Sequence, residues 1–242
     1  MTVPTQHAVK DEFDRLGRMD YEFNRWFSER GQRENYHAMR EAIQHHLRDI
    51  PFGRCLEVGC GPGTWTRVLR EARPLASFTL VDLSKVMLGK ARENLGDDGF
   101  TYVAGDFLAV RVDRKFDFFF SSRAIEYVPD QPLFVRKVGE LLLPGGRGLI
   151  VTKNPHHLSR RLEGLVRSPN VVHSGQIAYS DLIGLLQESG FRDVKAFPCV
   201  VTFPPVRKSF WLSRKIWERI YRQEMRPGWS LLVESYIVRF TK

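Results

Sequence analysis

Three glycines spaced two apart, Gly59, Gly61 and Gly63, close an apolar run that starts at Cys55, and Asp82 closes the next apolar run, Phe78–Val81. A short apolar run that ends in close glycines is a strand turning sharply into a helix. Without Cβ atoms the backbone admits a ligand, and the free N–H groups of the following helix point at it. A carboxylate about twenty residues beyond such a turn sits where two ribose hydroxyls can donate to it, in a charge-assisted contact stronger than a neutral hydrogen bond. The chemistry indicated is nucleotide binding. No Gly-Lys-Ser/Thr follows, which excludes a P-loop, and the third glycine comes one residue too early for a dinucleotide turn. Further along, His156 and His157 follow an apolar run through Asn154-Pro155. Histidine titrates near neutral pH, as a general base should; the competing reading is a surface pair beside Arg160 and Arg161.

The elements that must position these residues are legible from hydrophobic spacing. Apolar residues recur at helical intervals from Val9 to Ile50, and two or three helices are expected there before Pro51-Phe52-Gly53 breaks the pattern. Strand-like runs then alternate with helical segments: Phe78–Val81, Phe100–Ala104, Phe116–Phe120 and Leu149–Thr152 against Thr64–Ala72, Ser84–Asn94, Pro132–Leu143 and Ser180–Ser189. Ser84 is placed to cap the second of these helices, and Gly190 to stop the last. Alternation of this kind predicts a parallel sheet covered by helices on both faces, with ligands bound beyond the carboxyl ends of its strands. Val194–Phe203 and Ser230–Thr241 read as two final strands.

The chain of 242 residues carries 37 Lys and Arg against 28 Asp and Glu, a net charge of +9 that favours an anionic partner or surface. No run approaches a membrane span and the polar N-terminus lacks a signal-peptide core, so a cytoplasmic protein is expected. Cys55, Cys60 and Cys199 form no paired framework or zinc spacing, and Cys55 and Cys60 read as small buried residues.

The sequence Glu57-Val58-Gly59-Cys60-Gly61-Pro62-Gly63 resembles motif I of the class I S-adenosylmethionine-dependent methyltransferases, small-molecule type. Asp82, Gly105-Asp106-Phe107, Ser121-Ser122 and Pro144-Gly145-Gly146 follow in the order of that family's later motifs, so the resemblance covers 52–154. It implies a Rossmann-like doubly wound α/β fold, a seven-stranded sheet of order 3-2-1-4-5-7-6 with the last strand antiparallel. It implies S-adenosyl-L-methionine as cofactor. Asp106 would accept from the adenine amino group and Phe107 donate its backbone N–H, with Leu83 and Met87 on the ring faces, while Ser122 would contact the methionine portion. Met87 reads equally well as core. Glu57, costly to bury unpaired, needs a donor from the turn amides or, through water, from the ligand ammonium.

Two segments are similar to the quinone-pathway methyltransferases in particular. Arg33-Glu34-Asn35-Tyr36 matches an Arg-x-x-Tyr whose arginine pairs with the ligand carboxylate, against the alternative of a solvated helix arginine. Ser122-Arg123-Ala124-Ile125-Glu126-Tyr127 follows a segment in which acidic residues and a histidine hold a metal; here only Glu126 remains, so the metal-assisted reading is dropped. Glu126, His156 and His157 are the catalytic candidates. Arg123 either binds an anionic acceptor or pairs with Glu126.

One domain, 1–242, is expected: a helical cap over 1–50, the cofactor core over 52–154, and acceptor-side insertions at 155–178 and 204–229. Within the second insertion, Arg207–Arg222 patterns as an amphipathic helix, with Phe210, Ile216, Trp217, Ile220 and Tyr221 on one face and Lys215, Arg219 and Arg222 opposite. It either packs on the sheet or docks peripherally on the inner membrane surface. The function expected is methyl transfer to a small, amphipathic or anionic acceptor, O-methylation ahead of N-methylation. An RNA methyltransferase is the alternative, disfavoured because Ser121-Ser122-Arg123-Ala124 replaces the motif of base-amino methylases. A non-catalytic S-adenosylmethionine-binding protein is the third reading. Acceptor identity and oligomeric state are not encoded legibly.

Overall fold

The computed structural model describes residues 5–158, 175–202 and 219–242. Its sheet is built from β1 (Arg54–Val58), β2 (Ser77–Asp82), β3 (Phe100–Ala104), β4 (Phe116–Ser122), β5 (Leu142–Lys153), β6 (Arg192–Val201) and β7 (Val233–Thr241). The strands lie in the order β3-β2-β1-β4-β5-β7-β6. Pairing is parallel from β3 through to β5, and β7 runs antiparallel between β5 and β6. The expected Rossmann-like doubly wound fold is therefore present.

Strand β4 shows why both faces must be covered. Phe118 and Phe120 enter one core with Ile43, Leu47 and Phe78, whereas Phe119 enters the other with Phe134, Leu182 and Phe240. A strand apolar on both sides is stable only between two helical layers. The layers come from α1 (Gln6–Gly17), α2 (Arg30–Leu47), α3 (Thr64–Ala72), α4 (Lys85–Leu95), α5 (Gln131–Leu141) and α6 (Tyr179–Glu188). Ser84 caps α4 as expected, its hydroxyl accepting from the Met87 amide at 3.1 Å.

Three boundaries differ from the sequence reading. Strand β5 begins at Leu142, not Leu149, because Leu142 pairs with Phe116 and the Gly146 carbonyl accepts from the Lys242 amide; Pro144-Gly145-Gly146 lies inside the strand. Strand β6 starts at Arg192 and its register shifts at Pro198, a residue tolerated because β6 is an edge strand. Before β7 stands a short 3-10 turn, Pro227–Trp229, so the strand starts at Val233.

Most of the expected amphipathic helix at 207–222 lies outside the described residues, as do Arg160, Arg161 and Lys215. At its described end Tyr221 is buried, Ile220 packs against the core, and Arg219 and Arg222 face solvent. Among the described residues no helix is long and apolar enough to cross a membrane. The three cysteines are buried and unpaired.

Candidate active site

The carboxyl ends of β1 to β5 open into a cavity of about 720 Å³, a size that suits a small-molecule site. Helix α1 and a π-helical turn at Phe23–Phe27 form its other wall. Side-chain bonds hold this cap to the sheet domain. Gln6 Nε2 donates to the Tyr127 carbonyl at 2.9 Å, Ser84 Oγ to the Asp14 carboxylate at 2.5 Å, and Thr64 Oγ1 to Glu22 at 2.7 Å. Arg67 also pairs with Glu22.

The glycine turn forms the middle of the floor. Gly59 (φ +76°) has Ala124 against it, and a Cβ there would stand 2.6 Å from the alanine side chain. At Gly61 (φ +54°) a Cβ would meet no protein atom within 4 Å, and since Gly61 lines the cavity, that space opens into it. Asp82 is held by two amides: its Oδ2 accepts from Gly61 N at 2.8 Å and its Oδ1 from Ser84 N at 2.9 Å. Each oxygen keeps a lone pair for a hydroxyl donor. Burial pushes the Asp82 carboxyl up to about 6; the two amides oppose this and Asp14 adds to it.

Leu83, Met87, Asp106 and Phe107 line the same end of the cavity, with Met87 and Phe107 buried. Asp106 Oδ1 accepts from the Leu108 amide at 2.9 Å, which fixes the carboxylate at the turn after β3. Ser122 lines the cavity from the end of β4, and its buried hydroxyl has no partner among the described residues. A buried polar group left unmatched is unfavourable until a ligand satisfies it. An open glycine cradle, a carboxylate with two free lone pairs and an orphaned hydroxyl fit a nucleoside bearing an amino-acid arm.

Six sequence candidates do not reach the cavity, the first being Gly63, where a Cβ would meet Leu95 at 2.8 Å. Glu57 is fully buried beneath the turn and does not line it. Leu56 and Val58 enter one core, so strand alternation sends Glu57 to the other face, toward α3. The turn amides do not donate to it. Thr66 is its polar neighbour, without a closed hydrogen bond, and burial pushes the carboxyl up to about 8. Arg33 is exposed on α2 and donates to the Phe27 carbonyl at 2.9 Å, while Tyr36 of the same motif stacks on Trp65. Arg25 enters the cavity instead, because the turn before α2, not α2 itself, overlies the strand ends.

The two histidines are also displaced from the expected place. Asn154 donates its side-chain amide to the Ser230 and Val233 carbonyls and turns the chain toward β7. His157 is then buried with Nε2 2.7 Å from Thr202 Oγ1, and His156 is exposed; neither lines the cavity. Glu126 is fully buried, its Oε1 accepting from Arg123 Nε at 2.7 Å, Thr152 Oγ1 at 2.9 Å and Lys153 N at 2.9 Å. Burial pulls its acidity one way, but Arg123 and these donors win and hold the carboxyl below its ordinary value. It is an anchor for Arg123, not a base facing a substrate.

Tyr21, Arg25, Tyr127 and Lys153 also line the cavity, a place the sequence reading gave to none of them. The Arg25 guanidinium sits 4.3 Å over the Trp26 ring and has no carboxylate partner among the described residues. Lys153 is 3.8 Å from Glu234; burial first, then Arg123, pushes its ammonium down to about 8. Burial raises both tyrosines above their ordinary value. Lys153 carried a usable signal, since it ends β5 at the ligand edge just as Asp82 ends β2.

A family profile described as a methyltransferase domain matches residues 55–146, the stretch that supplies the turn, Asp82, Asp106 and Ser122. Over that stretch the chain is similar to the S-adenosylmethionine-dependent methyltransferases. The chain is 29% identical over 137 residues to the trans-aconitate 2-methyltransferase of Deinococcus radiodurans, covering 53% of this chain and 52% of that one. It is 31% identical over 97 residues to the malonyl-[acyl-carrier protein] O-methyltransferase of Anoxybacillus flavithermus, covering 40% and 36%. The chain thus spans about half or less of these two curated relatives. A Thermotoga maritima methyltransferase described as a possible histamine N-methyltransferase superposes with a TM-score of 0.71 at 19% identity, over 98% of this chain and 100% of that one. The N-methyltransferase NodS of Bradyrhizobium japonicum, solved with S-adenosyl-L-homocysteine, gives 0.63 at 15% identity over 97% and 98%. At such identities the agreement is one of fold.

Proposed function

We propose that the protein transfers the methyl group of S-adenosyl-L-methionine to a small anionic or amphipathic acceptor, at oxygen in preference to nitrogen. Support for this reading comes from one cavity in which the cofactor-type groups, Asp82, Asp106 and Ser122, share a wall with three cationic side chains, Arg25, Arg123 and Lys153. Asp82 takes the sugar hydroxyls, Phe107 and Asp106 take the adenine edge, and the Ser122 hydroxyl takes the amino-acid arm. When bound, the donor supplies an activated methyl on a sulfonium, so alignment and exclusion of water are what the protein must add. The cap formed by α1 and the Phe23–Phe27 turn provides that exclusion.

The relatives include an O-methyltransferase and N-methyltransferases, and those with the higher sequence identity act on trans-aconitate and on malonyl-[acyl-carrier protein]. Calorimetric titration of the full chain with S-adenosyl-L-methionine and with its demethylated product tests the reading. One-to-one binding of both is expected. Absence of heat, together with an unmoved melting temperature, overturns it.

A further inference from the structure

We propose that the acceptor is a carboxylate, methylated on oxygen to a methyl ester without a general base, and that Arg25, Arg123 and Lys153 hold it. The inference rests on the proposed function and adds the acceptor class. The acceptor half of the cavity, over the ends of β4 and β5, contains Tyr21, Arg25, Arg123, Tyr127 and Lys153. These groups lie close enough to influence one another's protonation, Arg123 and Arg25 both acting on Lys153 and on Tyr127. Holding several cations together in a closed site is unfavourable unless an anion joins them. Glu126 answers Arg123 through Nε alone, and the other guanidinium nitrogens of Arg123 are unmatched among the described residues.

What this half lacks decides between acceptors. Among the described lining residues its titratable groups are all donors at neutral pH, because burial keeps both tyrosines protonated. The carboxylates that line the cavity are Asp82 and Asp106, at the cofactor end, and Glu12, which is paired with Arg15 on α1. A phenol, an alcohol or a protonated amine would have to lose a proton here, and among the described residues of this half the group nearest to taking it, Lys153, is mostly protonated below about pH 8. A carboxylic acid, with an ordinary pKa of about 4, arrives ionised.

The step then balances without proton transfer. A carboxylate oxygen lone pair forms the new O–CH3 bond as the S–CH3 bond breaks, sulfur retains that bond's electron pair, and a neutral ester leaves beside a neutral thioether. Charge disappears along this path, so cations contacting the attacking oxygen would slow it. They serve on the other oxygen, or on a second anionic group of the acceptor.

The test uses methyl-labelled S-adenosyl-L-methionine, the full chain and the small-molecule fraction of a cell extract, followed by mild base. Label released as volatile methanol is expected, because methyl esters hydrolyse under conditions that ethers and methylamines survive. Base-stable label overturns the proposal, and so does absence of transfer by protein that binds the donor; failure to bind the donor overturns the proposed function itself. Arg25→Gln and Lys153→Gln should each raise the acceptor KM by about tenfold or more, the size of a lost charge-assisted contact, with donor affinity unchanged, and Lys153→Arg should restore it. Equal loss of donor affinity in both glutamine variants, or no effect on KM, overturns the assignment. Lys153 faces Arg123, Arg25, Glu126 and Glu234. Wild-type transfer should be highest near pH 7 and fall as the pH rises through about 8, where Lys153 loses its proton; a rate that climbs to pH 9 would mean an acceptor that needs a base.

Discussion

The two halves of the cavity have opposite character. Over β2 and β3 the lining is acidic and local: Asp82 and Asp106 each follow directly from a strand and are held by backbone amides at 2.8 to 2.9 Å. Over β4 and β5 it is basic and assembled from afar, with Tyr21 and Arg25 coming from the cap, Arg123 and Tyr127 from the segment after β4, and Lys153 from the end of β5. On the proposed reading, the difference teaches that the donor is gripped by short, contiguous segments, whereas the acceptor is met by residues of the cap and of separate strand ends that only the completed fold brings together. Glu126 shows the same logic at one remove. It touches no cavity, yet it fixes Arg123 and caps the end of β5 through Thr152 and Lys153.

The largest effect that would sharpen this contrast is at Asp82. Asp82→Ala removes the acceptor for two hydroxyl donors, and donor affinity by calorimetry should fall by about a hundredfold or more, the equivalent of two charge-assisted hydrogen bonds. The Lys153 and Arg25 variants should leave that affinity alone; a shared loss would mean the halves are one site.

Next comes the seam between the halves. Gly59→Ala places a methyl 2.6 Å from Ala124 at a φ of +76°, so thermal melting should show a loss of about 1–3 kcal/mol. Gly61→Ala meets no neighbour, so it should melt closer to wild type while weakening the donor more than Gly59→Ala does per unit of lost stability. If the two variants behave alike, the turn is merely a tight bend.

The smallest effect is in pH. Asp82 is raised to about 6, and hydroxyl donors favour its ionised form. Donor affinity should therefore decline as the pH falls through 6, whereas acceptor affinity should decline as it rises through about 8, where Lys153 deprotonates. Calorimetric profiles for donor binding and KM profiles for the acceptor, measured on one preparation, should bend in opposite directions. Parallel profiles would erase the distinction.

The sequence carried the fold nearly whole, since both faces of the sheet demanded apolar runs and every helix declared its spacing. Strand and helix limits moved where pairing, not composition, sets the end: Leu142 is in β5 because Phe116 lies beside it. Of the expected site residues, Gly59, Gly61, Asp82, Asp106, Phe107 and Ser122 do line the cavity, because each lies within a few residues of a strand end. His156, His157 and Arg33 were misjudged because closeness in sequence to a strand end or to an arginine motif does not say which way the chain turns next. Asn154 turned the histidines toward β7, and the position of α2 left Arg33 in solvent.

By itself, then, the sequence determined a strand–glycine turn–helix unit and a carboxylate one strand away, because backbone conformation and hydrophobic period are local properties. Which cations share a wall, which carboxylate is buried beneath the turn and which faces the ligand was decided only in three dimensions. Electrostatic character depends on distance and burial, and neither is fixed until the cap, the strand ends and the core have closed on one another.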